Sequence, residues 1–152
     1  MTRRLLLTAA LLLAFPASAS AKSWRAASRL PLPNVPVHHD LVHCPDVAGI
    51  LACTDSDPIV IHLGPLADQA AYYHEEGHAF DYLHLTATDH RNLGRWGSGE
   101  HFAEGFALCA LPSLRDYRTR GGYGTPSYDF TITRGALARI CGYVRLVARR
   151  SS

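Results

Sequence analysis

His74-Glu75-Glu76-Gly77-His78-Ala79-Phe80-Asp81-Tyr82 is the stretch on which the reading of this 152-residue chain turns. It lies in a proline-free run from Leu66 to about Thr86. Leu66, Ala70, Tyr73, Gly77 and Phe80 recur three or four apart there, which predicts a helix with one apolar or small face. On such a helix two imidazoles four residues apart sit roughly 40° apart around the axis and about 6 Å along it, so His74 and His78 can address one ion. Glu75 borders the same face. Zinc lowers the pKa of a water it holds to about 7, and a carboxylate beside that water can accept the proton. That is why an H-E-x-x-H pattern needs glutamate second and nothing particular third and fourth. In a chain with nine histidines and four glutamates, chance supplies roughly 0.01 such patterns.

A hydrolytic zinc needs three protein ligands and one open position. His84 would give H-E-x-x-H-x-x-D-x-x-H, the metzincin spacing, but that geometry requires the chain to leave the helix sharply, normally at a glycine where Asp81 stands. In a continued helix His84 lies about 9 Å beyond His78 along the axis, and the one methionine, Met1, offers no methionine turn. His84 reads as a helix-surface residue or one behind the ligands. Glu100, in Glu100-His101-Phe102-Ala103-Glu104-Gly105-Phe106-Ala107, is the second candidate. Glu100 and Glu104 share a helix face turned away from Phe102 and Phe106. One carboxylate can bind the ion while the other takes the free N–H of a ligand histidine. His101 is a third candidate, pointing about 100° away from Glu100.

Outward from these motifs, Val47 to Cys53 and Ile59 to Leu63 read as two strands around the polar turn Thr54 to Pro58. Residues 22–37, with Pro31, Pro33 and Pro36, read as an extended leader over the surface. Residues 87–99 read as a glycine-rich loop. A second helix is expected from Glu100 to about Ala110, capped by Ser98 or Gly99 and halted at Pro112. A last helix is expected from Thr133 to about Arg149, after an irregular Gly121 to Pro126.

The two motifs together resemble the gluzincin pattern, H-E-x-x-H followed by E-x-x-x-D/E. They are closest to small secreted zincins of the anthrax-lethal-factor and Pro-Pro-endopeptidase type, over about residues 58–110. The resemblance implies an α+β, minimal zincin-like fold, with a small sheet or hairpin packed on an active-site helix and a second ligand-bearing helix. It also implies one catalytic zinc held by His74, His78 and Glu100, Glu75 as general base, and Glu104 behind the ligands. By the same resemblance, Ile59–Leu63 would be the sheet edge along which an extended substrate lies. One departure stands out: such enzymes carry a tyrosine shortly before the ligand glutamate, and residues 87–99 have none. Tyr117, Tyr123, Tyr128 or His101 could supply the missing donor.

The N-terminus, with Arg3 and Arg4, an apolar Leu5 to Phe15 and small residues to Ala21, reads as a secretory signal cleaved after Ala21. Residues 22–152 then form a single domain outside the cytoplasm, with no stable membrane insertion. Losing Arg3 and Arg4 reduces 15 basic residues to 13, equal to the 13 acids, which speaks against nucleic acid as a partner. Hydrophobic residues at 47% and charged residues at 18% are ordinary globular composition. Four cysteines in an exported chain suggest disulfides, with Cys44–Cys53 and Cys109–Cys141 the favoured pairs. The expected protein is a monomeric secreted zinc peptidase acting on peptide or protein substrates. The alternative is a zinc-binding interaction module that does not turn over, and a third reading is a metal-free adhesion domain.

Overall fold

The computed structural model describes residues 17–151 apart from Val47 and Ser98. The apolar part of the expected signal, and Ser98 as a cap, therefore lie outside the described residues. Residues 17–21, the expected signal exit, open helix α1 (Ala17–Ala27), so the expected cut after Ala21 falls within a helix. Residues 22–27 are helical rather than an extended leader. Trp24 packs on Tyr72 with ring centroids 5.8 Å apart, and Arg25 Nη2 reaches Glu76 Oε1 at 2.7 Å.

Three short strands follow: β1 (Val37–His38), β2 (Ala52–Ser56) and β3 (Ile59–Leu63). The hairpin β2–β3 is antiparallel with Cys53 opposite His62, and β1 runs parallel to β3 with His38 beside His62. The expected first strand is displaced toward the turn. Thr54, Asp55 and Ser56 pair with Ile61, Val60 and Ile59, so cross-strand pairing overrides their turn propensity. The sheet order is β1-β3-β2. Ile59–Leu63 is therefore the central strand and β2 the edge, contrary to the expectation that Ile59–Leu63 would be exposed for pairing. The proline-rich leader supplies the extra strand, and the Pro36 carbonyl already accepts from the Ile61 N–H at 3.0 Å.

Helix α2 (Gln69–His84) starts where Asp68 accepts the Ala71 N–H at 2.8 Å. Helix α4 (Gly99–Ala110) crosses it in close backbone contact. A Cβ placed on Gly77 would lie 2.8 Å from Ala103 Cα and 3.1 Å from Phe106 Cβ, so only glycine allows the two helices to approach this far. Phe80, Phe102 and Phe106 fill the seam, all fully buried, with Phe80 and Phe106 centroids 5.3 Å apart. These side chains join Ile61, Leu63, Tyr72, Leu108 and Ile140 in one apolar cluster.

Residues 87–99 are not a loop. Helix α3 (Ala87–Leu93) begins with a reciprocal capping box between Thr86 and Asp89, and a 3-10 turn, Gly94–Trp96, leads into α4. The antiparallel pair β4 (Tyr123–Gly124) and β5 (Thr131–Ile132) follows α4. Last comes α5 (Arg134–Arg150), capped by Thr133 and burying Leu137, Ile140, Val144 and Val147. Cys109–Cys141 ties α4 to α5 and Cys44–Cys53 ties the segment before β2 to the hairpin, as favoured from the sequence. The chain is thus a mixed α+β protein with two disulfides, a feature of oxidising compartments. Among the described residues no helix is long and apolar enough to cross a membrane.

Asp89 caps α3 and anchors it to α5. Its carboxylate accepts the Thr86 hydroxyl and N–H, at 2.5 and 2.8 Å, and the Tyr143 hydroxyl of α5 at 2.6 Å. The Thr86 hydroxyl, then the Tyr143 hydroxyl and the Thr86 N–H, hold the Asp89 pKa down at about 2, below its ordinary 3.8. A carboxylate depressed in the folded state adds stability above its unfolded pKa and loses it as pH falls through the folded one. Asp89→Asn is expected to destabilise the protein by about 1–3 kcal/mol at neutral pH. In urea unfolding followed from pH 7 to pH 2, the gap between variant and parent should narrow below about pH 4; an unchanging gap would contradict this.

Candidate metal centre

Helix α2 carries His74 and His78 one turn apart, and the close crossing by α4 lays Glu100 over both. His74 Nε2 lies 2.9 Å from Glu100 Oε2, His78 Nε2 lies 3.4 Å from the same oxygen, and the two ring nitrogens are 3.1 Å apart. Ligands on a tetrahedral ion with bonds of about 2.0–2.1 Å stand roughly 3.3 Å from one another. Glu100 Oε2 is sealed from solvent without an aligned hydrogen-bond partner, although two imidazoles crowd it. Three atoms packed at ligand spacing, one of them unsatisfied, form a donor set that fits a single divalent cation. Glu100 is 45% exposed in its side chain, so the set opens to solvent on that side.

Behind His74, Glu104 is wholly buried, its Oε1 3.2 Å from His74 Nδ1 and accepting the Ser127 N–H at 2.9 Å. A carboxylate there fixes which ring nitrogen of His74 carries hydrogen and aims the other at Glu100 and His78. Burial alone would depress the His74 pKa, but the close Glu100 and Glu104 carboxylates outweigh it and push it up to about 9. The His74 contact in turn holds Glu100 down at about 2. Burial and the neighbouring His74 charge lower His78.

Glu75 turns from the ligand nitrogens toward the edge strand. Its Oε2 accepts the Thr54 hydroxyl at 2.7 Å, and that hydroxyl also lies 3.1 Å from the Glu75 carbonyl. Burial raises the Glu75 pKa, opposed by the His74 charge and the Thr54 bond. Glu76, in the motif's free third position, is buried and bonded to Arg25 and the Tyr72 hydroxyl. Burial pushes its pKa up to about 7 against those two partners. It fastens α1 to α2 and points away from the ligand cluster.

Of the possible hydroxyl donors, Tyr128 reaches the site. Its ring stacks on His74 with centroids 5.8 Å apart, and its hydroxyl lies in the electrostatic reach of Glu100. Burial and the Glu100 contact raise its pKa to about 12, so it stays protonated near neutrality. Tyr117 also lines the cleft, whereas Tyr123 borders a separate hollow on the α5 side. His101 is turned outward against Phe130, centroids 4.7 Å apart, and His84 meets Phe80 at a tilt with centroids 4.8 Å apart; neither joins the ligand group. Sequence reasoning missed Thr54, which lay in an expected turn. It also missed Tyr82, stacked on His78 at 6.3 Å; the i, i+4 spacing from His78 was the signal for it.

The ligand group lies in a cleft of about 990 Å³ bounded by β2 on one side and by Tyr82, Tyr117 and Tyr128 on the other. Asp68, Glu75 and Glu100 give the lining its charge, and among the described residues no lysine or arginine joins it. No protein family, curated protein or solved structure matches this chain. Glu104→Gln keeps the size of the side chain but removes the charge behind His74, and is expected to weaken zinc binding by about 10–100-fold. Competition with a chromophoric chelator measures this, and unchanged affinity would remove Glu104 from the site.

Proposed function

We propose that the chain is a secreted zinc-dependent peptidase on a minimal zincin-like fold, with His74, His78 and Glu100 as ligands and Glu75 as general base. One observation carries the reading: three donor atoms at ligand spacing open into a cleft beside a buried carboxylate and an unpaired sheet edge. A zinc ion at such a site polarises a carbonyl and acidifies water. The chain's own groups supply the rest. An extended peptide adds to β2 by main-chain hydrogen bonds, which hold its scissile bond across the ligand group. Glu75, oriented by Thr54 and made more basic by burial, accepts a proton from the attacking water and hands it to the departing amine. Tyr128, a donor throughout the neutral range, is placed to stabilise charge developing on the carbonyl oxygen.

The test is Glu75→Gln. The variant should hold zinc with the parent's stoichiometry while peptide hydrolysis falls by roughly three orders of magnitude or more. A diverse peptide library read by mass spectrometry, alongside metal analysis of each protein, makes the comparison. If the zinc-loaded parent cleaves nothing, the chain is a binding module instead.

A further inference from the structure

A second cluster of metal-binding side chains lies on the other face of the sheet. Side chains alternate across a strand, and Thr54 faces α2 through its bond to Glu75. Cys53, Asp55 and the paired His62 therefore face away from α2. The Cys44–Cys53 bridge holds the segment that follows β1 over this outer face. His62 is 1% exposed, an unusual burial for a polar ring on a three-stranded sheet. Its two nitrogens point at different carboxylates: Nδ1 is 3.3 Å from Asp40 Oδ1 and Nε2 is 3.2 Å from Asp55 Oδ2. The His38 ring, carried by β1, meets the His62 ring edge-on with centroids 5.3 Å apart. One ligand atom each from His38, Asp40 and His62 lies within 4.8 Å of the others.

We propose that His38, Asp40 and His62 bind a second divalent transition-metal cation, of the zinc type, with Asp55 as the carboxylate that orients His62. The arrangement repeats the logic of the cleft. There, a buried histidine turns one nitrogen to the ligand group and the other to a carboxylate behind it, as His74 does between Glu100 and Glu104. Here His62 does the same between Asp40 and Asp55. The 3.3 Å separation of His62 Nδ1 and Asp40 Oδ1 suits two ligands of one tetrahedral ion. Two imidazoles with one carboxylate select zinc-like borderline metals over calcium or magnesium, which take oxygen donors. The consequence is structural. β1 is only two residues long, and an ion joining His38 and Asp40 to His62 pins it to the central strand. That same hairpin carries Thr54 into the cleft on its opposite face.

The test counts zinc in four forms of the full-length protein by elemental analysis after gel filtration with zinc. They are the parent, His38→Ala/Asp40→Ala, His78→Ala/Glu100→Ala, and the neighbouring control His39→Ala. His38 is exposed and the Asp40 side chain is 45% exposed, so their replacement leaves the core intact. The expected counts are two, one, one and two. In His78→Ala/Glu100→Ala, zinc should also raise the melting temperature, and adding His38→Ala should abolish that rise. Counts of one, none, one and one would support this second site while sinking the peptidase reading. If His38→Ala/Asp40→Ala holds as much zinc as the parent, or His78→Ala/Glu100→Ala holds none, His62 is an imidazole clamped between two carboxylates and the proposal is overturned.

Discussion

The contact on which the site depends is the near-touching of two helix backbones at Gly77 and Ala103. A side chain at Gly77 would meet main-chain atoms of α4, which cannot swing aside as a flexible side chain can. Without that closeness, Glu100 could not bring one oxygen within 3.4 Å of both His74 and His78. Phe80, Phe102 and Phe106 seal the same seam, so apolar burial supplies the force that the missing side chain lets act. The glycine inside H-E-x-x-H thus serves packing, while its flanking histidines face Glu100.

Charge is concentrated in this seam to a degree that an apolar core would not tolerate unaided. Glu75, Glu76 and Glu104 are all buried, and each has a specific partner: Thr54, Arg25 with Tyr72, and Ser127 with His74. A buried carboxylate without such partners would protonate or destabilise the fold. The three acids divide the work by direction. Glu75 faces the edge strand, Glu76 faces α1, and Glu104 supports the His74 ring from behind. Helical geometry makes this division automatic, because Glu75 and Glu76 differ by about 100° around α2.

Much of this was legible along the chain, where the signals are local. Periodicity and the placing of prolines located α2 and α4, α5 was expected over nearly its observed span, and the cysteine positions pointed to both bridges. The H-E-x-x-H spacing brought the histidines together, and the resemblance to gluzincins pointed to Glu100. What escaped reading depended on partners distant in sequence. Val37–His38 is a strand only because Ile61 and His62 lie beside it, and that pairing moved the free edge from Ile59–Leu63 to β2. Tyr128 reaches His74 only through the β4–β5 turn, and Glu76 is structural only because Arg25 arrives from α1. Helix α3 is different: Thr86-x-x-Asp89 is a capping-box pattern, and the glycines downstream masked it.

The central claim is that His74, His78 and Glu100 converge on one cation. The most direct measurement is a crystal of the zinc-loaded protein with anomalous data collected at the zinc absorption edge. The account predicts an anomalous peak about 2.0–2.2 Å from His74 Nε2, His78 Nε2 and a Glu100 carboxylate oxygen, with a further position open to the cleft. A map in which no peak lies among those three side chains, with Glu100 turned away from the imidazoles, would contradict it.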